Sequence, residues 1–158
     1  MTPKIEPQAH VIPSTNKGVV VRLAVKLSQI IDAMPAVSVF AQKELSAKAA
    51  YRISKLVKKL MSERREFEDA RNKAVVKYGH KTMRKLPGQE VEREVTEVRP
   101  ENVAAFNAEI QALLDSEVEL EGVARIAFAD IEHLALSPAV LSDLEPFIEA
   151  PVEDKKAA

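Results

Sequence analysis

The sequence predicts a mainly α fold with a small β component (α+β), built on a long antiparallel helical hairpin with a short antiparallel sheet and a short C-terminal helix. Three observations predict it. The 158 residues contain only four glycines and are rich in Ala, Leu, Glu, Lys and Arg, a balance that favours helix. Residues 46–78 carry an apolar stripe at alternating four- and three-residue spacing, and 101–116 carry a second, shorter one. Between and around them, proline–glycine turns and short β-branched runs leave room only for small strands.

In chain order, residues 1–17 hold Pro3, Pro7 and Pro13 among polar spacers and read as an extended arm. In VVVRLAVKL (19–27), Val21, Leu23, Val25 and Leu27 alternate with Arg22 and Lys26, which predicts a strand. Ile30, Ile31, Met34, Val37 and Phe40 then recur at helical spacing over 28–41. Pro35 lies inside, so a helix is expected to start or kink there.

Ser46 suits an N-cap. From it Ala49, Ile53, Leu56, Leu60, Phe67, Ala70 and Ala74 form a heptad-like seam, with Glu63 filling one position. A helix of that length is ~45 Å long at ~1.5 Å per residue. Gly79 falls where a left-handed C-terminal cap is expected. Asp69 and Lys73 are i,i+4 neighbours that predict an ion pair.

Pro87-Gly88 marks a turn, and Thr82–Leu86 with Glu90–Val98 predict a hairpin around it. Pro100 and Glu101 suit the start of a helix over 101–116, whose Val103, Phe106, Ile110, Leu113 and Leu114 share one face. EVELEGVARIAF predicts two short strands around Glu121-Gly122. Ser137-Pro138 opens a short helix that Pro146 ends. The predicted organisation is an arm (1–17), one α-rich domain (18–148) and a tail (149–158). Burying one Leu or Ile is worth roughly 1.5–3 kcal/mol, so neither long stripe stays in water. The simplest solution packs 46–78 antiparallel against 101–116, and the surplus length of the first rests on 28–41 or on a partner copy, or stands free.

The formal net charge of −1 conceals a dipolar chain. Residues 47–86 hold 13 Lys/Arg and four Asp/Glu, a net of +9, and residues 101–158 hold three against 13, a net of −10. The candidate interaction surface is Lys55, Lys58, Lys59, Arg65, Lys77, Lys81, Arg84 and Lys85. These side chains would suit phosphates. The alternative is that the acidic half, of this chain or of a neighbouring copy, folds against them. The second reading is preferred on three grounds: the cations spread around the helix, aromatic residues are scarce, and no helix-turn-helix, zinc-finger or RNP pattern appears.

With no cysteine, disulfides, thiolate metal sites and cysteine nucleophiles are excluded. His10, His80 and His133 lie in separate contexts without ligand spacing, so no metal and no cofactor are expected. Glycine-rich phosphate loops and nucleophile elbows are absent. Glu117, Glu119 and Glu121 alternate on one side of a strand, where a solvated edge is a better reading than a hard-cation site. The remaining catalytic candidate is Asp130, Glu132 and His133, in a segment acidic enough to bring them together by chance. The chain is expected not to be an enzyme. No apolar run approaches the ~18 residues of a membrane span, and the first residues lack a signal-peptide pattern.

The order AYRISKLVKKL (50–60), EFEDARNKAVVKYG (66–79), PENVAAFNAEIQALLDSEVEL (100–120) and LSPAVLSDLEPFI (136–148) resembles a family of small tailed-bacteriophage proteins, of siphoviruses and prophages, whose function is unknown. Phe67, Ala70, Arg71, Tyr78 and Gly79, and Leu136, Ser137, Pro138, Leu144, Glu145, Pro146 and Phe147, are its most specific parts. The proline-bearing arm departs from it. The resemblance implies a double-stranded DNA phage or prophage, and a place in the virion or the host cytoplasm. A structural or assembly role is expected, with other phage proteins or copies of this chain as partners rather than nucleic acid or membrane. The alternative is an early phage protein that binds a host protein or nucleic acid.

Overall fold

A computed structural model describes residues 22–150. The predicted N-terminal arm, His10, and residues 151–158 of the predicted tail lie outside the described residues. The mainly α, α+β class is observed: five helices and three two-stranded ladders among the described residues.

Strand β1 (Arg22–Lys26) keeps the predicted alternation, with Leu23 and Val25 buried and Arg22 and Lys26 exposed. It passes directly into α1 (Leu27–Phe40), where Gln29 Oε1 accepts from Lys26 N at 2.9 Å. Helix α1 is the centre of the core. Leu27, Ile30, Ala33, Met34, Ala36, Val37 and Phe40 are all buried. Pro35 neither starts nor ends it; the residue sits exposed inside the helix, so the missing N–H falls on the solvent side.

Helix α2 (Ala47–Tyr78) is one continuous rod of 32 residues, capped by Ser46 Oγ accepting from Ala49 N at 3.2 Å. The predicted seam is its inward face: Ala49, Ile53, Leu56, Leu60 and Ala74 are buried, and Phe67 and Ala70 half-buried. On its exposed side the i,i+4 ion pair is Arg64–Glu68 at 2.9 Å, in place of the anticipated Asp69–Lys73.

Gly79 is extended, with φ −101° and ψ 178°, and not the left-handed cap expected. Helix α2 runs straight into β2 (Gly79–Lys85), so this strand starts before Thr82. A Cβ at Gly79 would run into the Val75 carbonyl and lie 2.8 Å from the Glu97 carbonyl, so close approach, not handedness, requires glycine. Strand β2 pairs antiparallel with β3 (Glu92–Val98), Gly79 opposite Val98 and Lys85 opposite Glu92, and Gly88 turns between them at φ +79°.

After a single 3-10 turn at Pro100–Asn102 comes α3 (Val103–Asp115). It runs antiparallel to α2, and Tyr78 meets Phe106 edge-on with ring centres 6.4 Å apart. Lys77 meets Glu109 one turn on, and Ala70 and Ala74 share a groove with Ala112 and Leu113. The 101–116 segment therefore covers only the C-terminal part of the α2 seam. The rest packs on α1, whose Ile31 and Met34 line a groove with Phe67 and Arg71. Length and apolarity decide this: α3 has 13 residues and no buried one, whereas α1 presents a wide apolar face.

Strand β4 (Glu117–Glu121) follows and pairs antiparallel with β1, Arg22 opposite Glu121 and Lys26 opposite Glu117. Leu27 N donates to Ser116 O at 3.0 Å, tying the end of α3 to the start of α1. The two strands predicted around Gly122 do not pair with each other: β5 (Ile126–Ala127) pairs in parallel with β6 (Ile148–Glu149), which takes Glu149 out of the predicted tail. Between them lie α4 (Phe128–Ile131) and α5 (Pro138–Leu144), the latter capped by Ser137 Oγ accepting from Val140 N at 3.3 Å. Ile131, Leu144 and Phe147 are buried and close the core against α1.

The result has two unequal parts. The first half of α2, α1, β1 and residues 117–150 form a head with a continuous core. The second half of α2, the β2–β3 hairpin and α3 form an arm in which, over residues 61–116, only Ala74 is buried.

Candidate functional site

The structure divides the eight predicted cations. Cross-strand pairing neutralises two of the three in the hairpin. Lys81 pairs with Glu94 at 2.8 Å, Arg84 with Glu97, and Lys85 stands opposite Glu92 in register. Lys77 pairs with Glu109 at 3.3 Å. The Tyr78 hydroxyl and then Glu109 hold the Lys77 ammonium above its ordinary value, and the Tyr78 hydroxyl and then Lys77 hold the Glu109 carboxyl below its own. In the second half of α2 and the hairpin, Arg64, Lys77, Lys81 and Arg84 thus have carboxylate partners, whereas Arg65, Arg71, Lys73, Lys85 and Arg93 form no ion pair with any described residue.

Along the first half of α2 no cation is paired among the described residues. Lys55, Lys58 and Lys59 form no ion pair with any described residue. At about 100° per residue they share one arc with Tyr51, Arg52 and Ser62, and Arg65 continues it two turns on. That arc borders the buried seam of Ile53, Leu56 and Leu60. The loop from Gly122 to Arg125 crosses beside it. Gly122 takes φ +73°, which turns the chain out of β4, and Val123 and Ile126 anchor the loop by burial.

Two cavities flank the crossing. One, of about 340 Å³, is lined by Arg52, Lys55 and Arg125, by Asp130 and Glu149, and by an apolar floor of Ile53, Val123 and Ile126. The other, of about 380 Å³, is lined by Lys55, Lys58, Lys59, Ser62, Gly122 and Val123, with no carboxylate. Lys55 belongs to both, and its Nζ lies 4.7 Å from the centre of the exposed Tyr51 ring. The cationic stretch ends at Glu63, whose carboxyl is pushed up first by burial and then by Glu66, against the opposing pull of Lys59.

Arg52, Arg125 and Tyr51 were not in the predicted set. Arg52 was legible, since it precedes Lys55 and Lys59 by three and seven residues on one helix face. Arg125 was not, because only the long-range β1–β4 pairing brings its loop to α2. The other charged candidates have ordinary surroundings. Arg22 lies 3.4 Å from Glu119 and 3.6 Å from Glu121, so these glutamates are balanced across the ladder. Among the described residues no group of His, Asp and Glu could hold a metal ion. Asp130 is half-buried, while Glu132 and His133 are exposed. Among the described residues no helix is long and apolar enough to cross a membrane.

Fold and site together define an α+β chain with a cored head, a thin arm, and a cationic cleft on the head. No known protein family, curated protein or solved structure matches the chain.

Proposed function

We propose that this chain is a non-enzymatic structural or virion-assembly protein of a tailed bacteriophage or prophage, acting through protein–protein contacts. The resemblance of 50–60, 66–79, 100–120 and 136–148 to small tailed-phage proteins supports the setting. The observation that carries the contact role is the arm. A two-stranded hairpin and a helix pair with almost no interior are marginally stable alone. Here Val76 is 71% exposed and Val91 70%, and the apolar residues of α3 are at best half-buried. Such a surface gains stability when a partner covers it. The partners of this reading are other virion proteins or further copies of the chain.

Sedimentation equilibrium on the full chain, with mass spectrometry of purified particles, tests the reading. It expects self-association or recovery of the chain from particles. A plain monomer at high concentration, absent from particles, contradicts it. The second reading, an early phage protein that binds a host protein or nucleic acid, is favoured by one observation: the uncompensated Lys55, Lys58 and Lys59 on the head.

A further inference from the structure

From the two cavities flanking the Gly122–Arg125 loop, we infer that the cationic face of α2 is a binding site for consecutive phosphates of a single nucleic-acid strand. This inference goes beyond the protein-contact reading, which its failure leaves untouched.

Three observations converge. First, five of the eight candidate cations, Lys55, Lys58, Lys59, Arg65 and Lys85, form no ion pair with any described residue, and three of those five line one depression. Lys77, Lys81 and Arg84 have carboxylate partners, whereas Lys55, Lys58 and Lys59 have none among the described residues. Second, that place is a shallow, open depression between two elements. Lys55, Lys58, Lys59 and the Ser62 hydroxyl face Gly122 and Val123 across a cavity of about 380 Å³ without a carboxylate. The adjoining cavity of about 340 Å³ adds Arg52 and Arg125 and shares Lys55, so positive groups continue along the helix. Third, Tyr51 is 64% exposed on the same arc, with the Lys55 ammonium 4.7 Å from its ring.

Lone surface lysines need no ligand. Cations at positions 52, 55, 58 and 59 of one helix are different, since they line a path about 10 Å long at about 1.5 Å per residue. A strand's phosphates can follow such a path. An exposed ring beside it offers a base a stacking surface, the combination by which single strands are held without sequence preference. Asp130 and Glu149 repel phosphate from the far side of the first cavity, so the strand is expected to follow the Lys58–Lys59 side. The exposed Tyr51 ring favours a single strand over a duplex, whose bases are already stacked on one another.

The test is fluorescence anisotropy on the full chain with an oligothymidylate of about a dozen nucleotides, a duplex of the same length, and tripolyphosphate as competitor. We expect the single strand to bind, with affinity falling about 20-fold between about 50 and about 200 mM salt for three phosphate contacts. The exposed substitutions K55E, K58E and K59E together should abolish binding, while K81E on the hairpin leaves it unchanged. Y51A should weaken the oligonucleotide several-fold without changing competition by tripolyphosphate. Amide NMR shifts on adding oligonucleotide should concentrate at Arg52–Ser62 and Gly122–Arg125. No binding at low salt, equal binding by the triple variant, preference for duplex, or shifts spread over every lysine of the chain would each overturn the inference.

Discussion

Lys77 on α2 donates to Glu109 on α3 over 3.3 Å, and this is the one ion pair among the described residues that joins the basic stretch 47–86 to the acidic stretch 101–158. The expected folding of one charged half against the other thus occurs at a single clamp. The ammonium also lies 4.8 Å from the Tyr78 ring, and Asn102 Nδ2 donates to Tyr78 O at 3.1 Å. These contacts, with Leu113 packed against the head core, hold α3 in place.

The clamp is sensitive to acid. The Glu109 carboxyl is held below its ordinary value of 4.5, so its contribution is present above that value and is lost as pH falls through the depressed one. Lys77 is raised above 10.5, so its contribution is present below that value and is lost only as pH rises through the raised one. Acid should therefore loosen α3. The Phe106 ring resonances, set by the Tyr78 ring beside it, are expected to shift as pH drops below the usual carboxylate range. Glu109→Gln should remove that pH step; a step that survives the substitution would place its cause elsewhere.

Core and arm should respond oppositely to truncation. Leu56 is about one turn from Ile53 and from Leu60 in the buried seam, and Leu56→Ala should cost about 3 kcal/mol in urea unfolding. Val103, exposed on α3, should tolerate Val103→Ala within about 0.5 kcal/mol. Equal costs would contradict the division into head and arm.

Gly79→Ala forces a methyl group against the Val75 carbonyl at the junction of α2 and β2. The backbone must shift, at a cost of about 2 kcal/mol. Gly88→Ala meets no neighbour and carries only the strain of φ +79°, about 1 kcal/mol. Thermal unfolding of the two variants should rank them in that order.

Glu63 occupies a seam position between Leu60 and Phe67 and is half-buried. Its carboxyl is raised above 4.5 by burial first and by Glu66 second. The native state therefore holds more protons than the unfolded chain between 4.5 and the raised value, and stability falls as pH rises through that window. Glu63→Leu should stabilise the chain by about 1 kcal/mol at neutral pH, and the advantage should shrink as the solution is acidified. Urea midpoints of both proteins at neutral and acid pH measure it.

The seam of α2 was legible because its period is a local property: Ala49, Ile53, Leu56, Leu60, Phe67, Ala70 and Ala74 need only 33 consecutive residues, 46–78, to declare themselves. The hairpin was legible from Pro87-Gly88, and α5 from Ser137-Pro138. Pairing at a distance was not. Nothing near Arg22 specifies Glu121 as its partner, and without that ladder the meeting of Arg125 with Arg52 stays hidden. Register also decided which cations are spent: Lys81 and Arg84 reach Glu94 and Glu97 only in the pairing that sets Thr82 opposite Val95. Gly79 misled because a glycine after a helix usually signals a positive φ, whereas here it makes room for a carbonyl.

Hydrogen–deuterium exchange of the full chain tests the central claim, a cored head bearing a thin arm with almost no buried residue. Amides of α1 and of Ala49–Leu60 should exchange only through global unfolding. Those of Ala70–Tyr78, the hairpin and α3 should exchange through smaller openings, and, under the proposed contact role, slow when a partner covers the arm. Uniform slow exchange across Ala47–Tyr78 and Val103–Asp115 in the isolated monomer would contradict it.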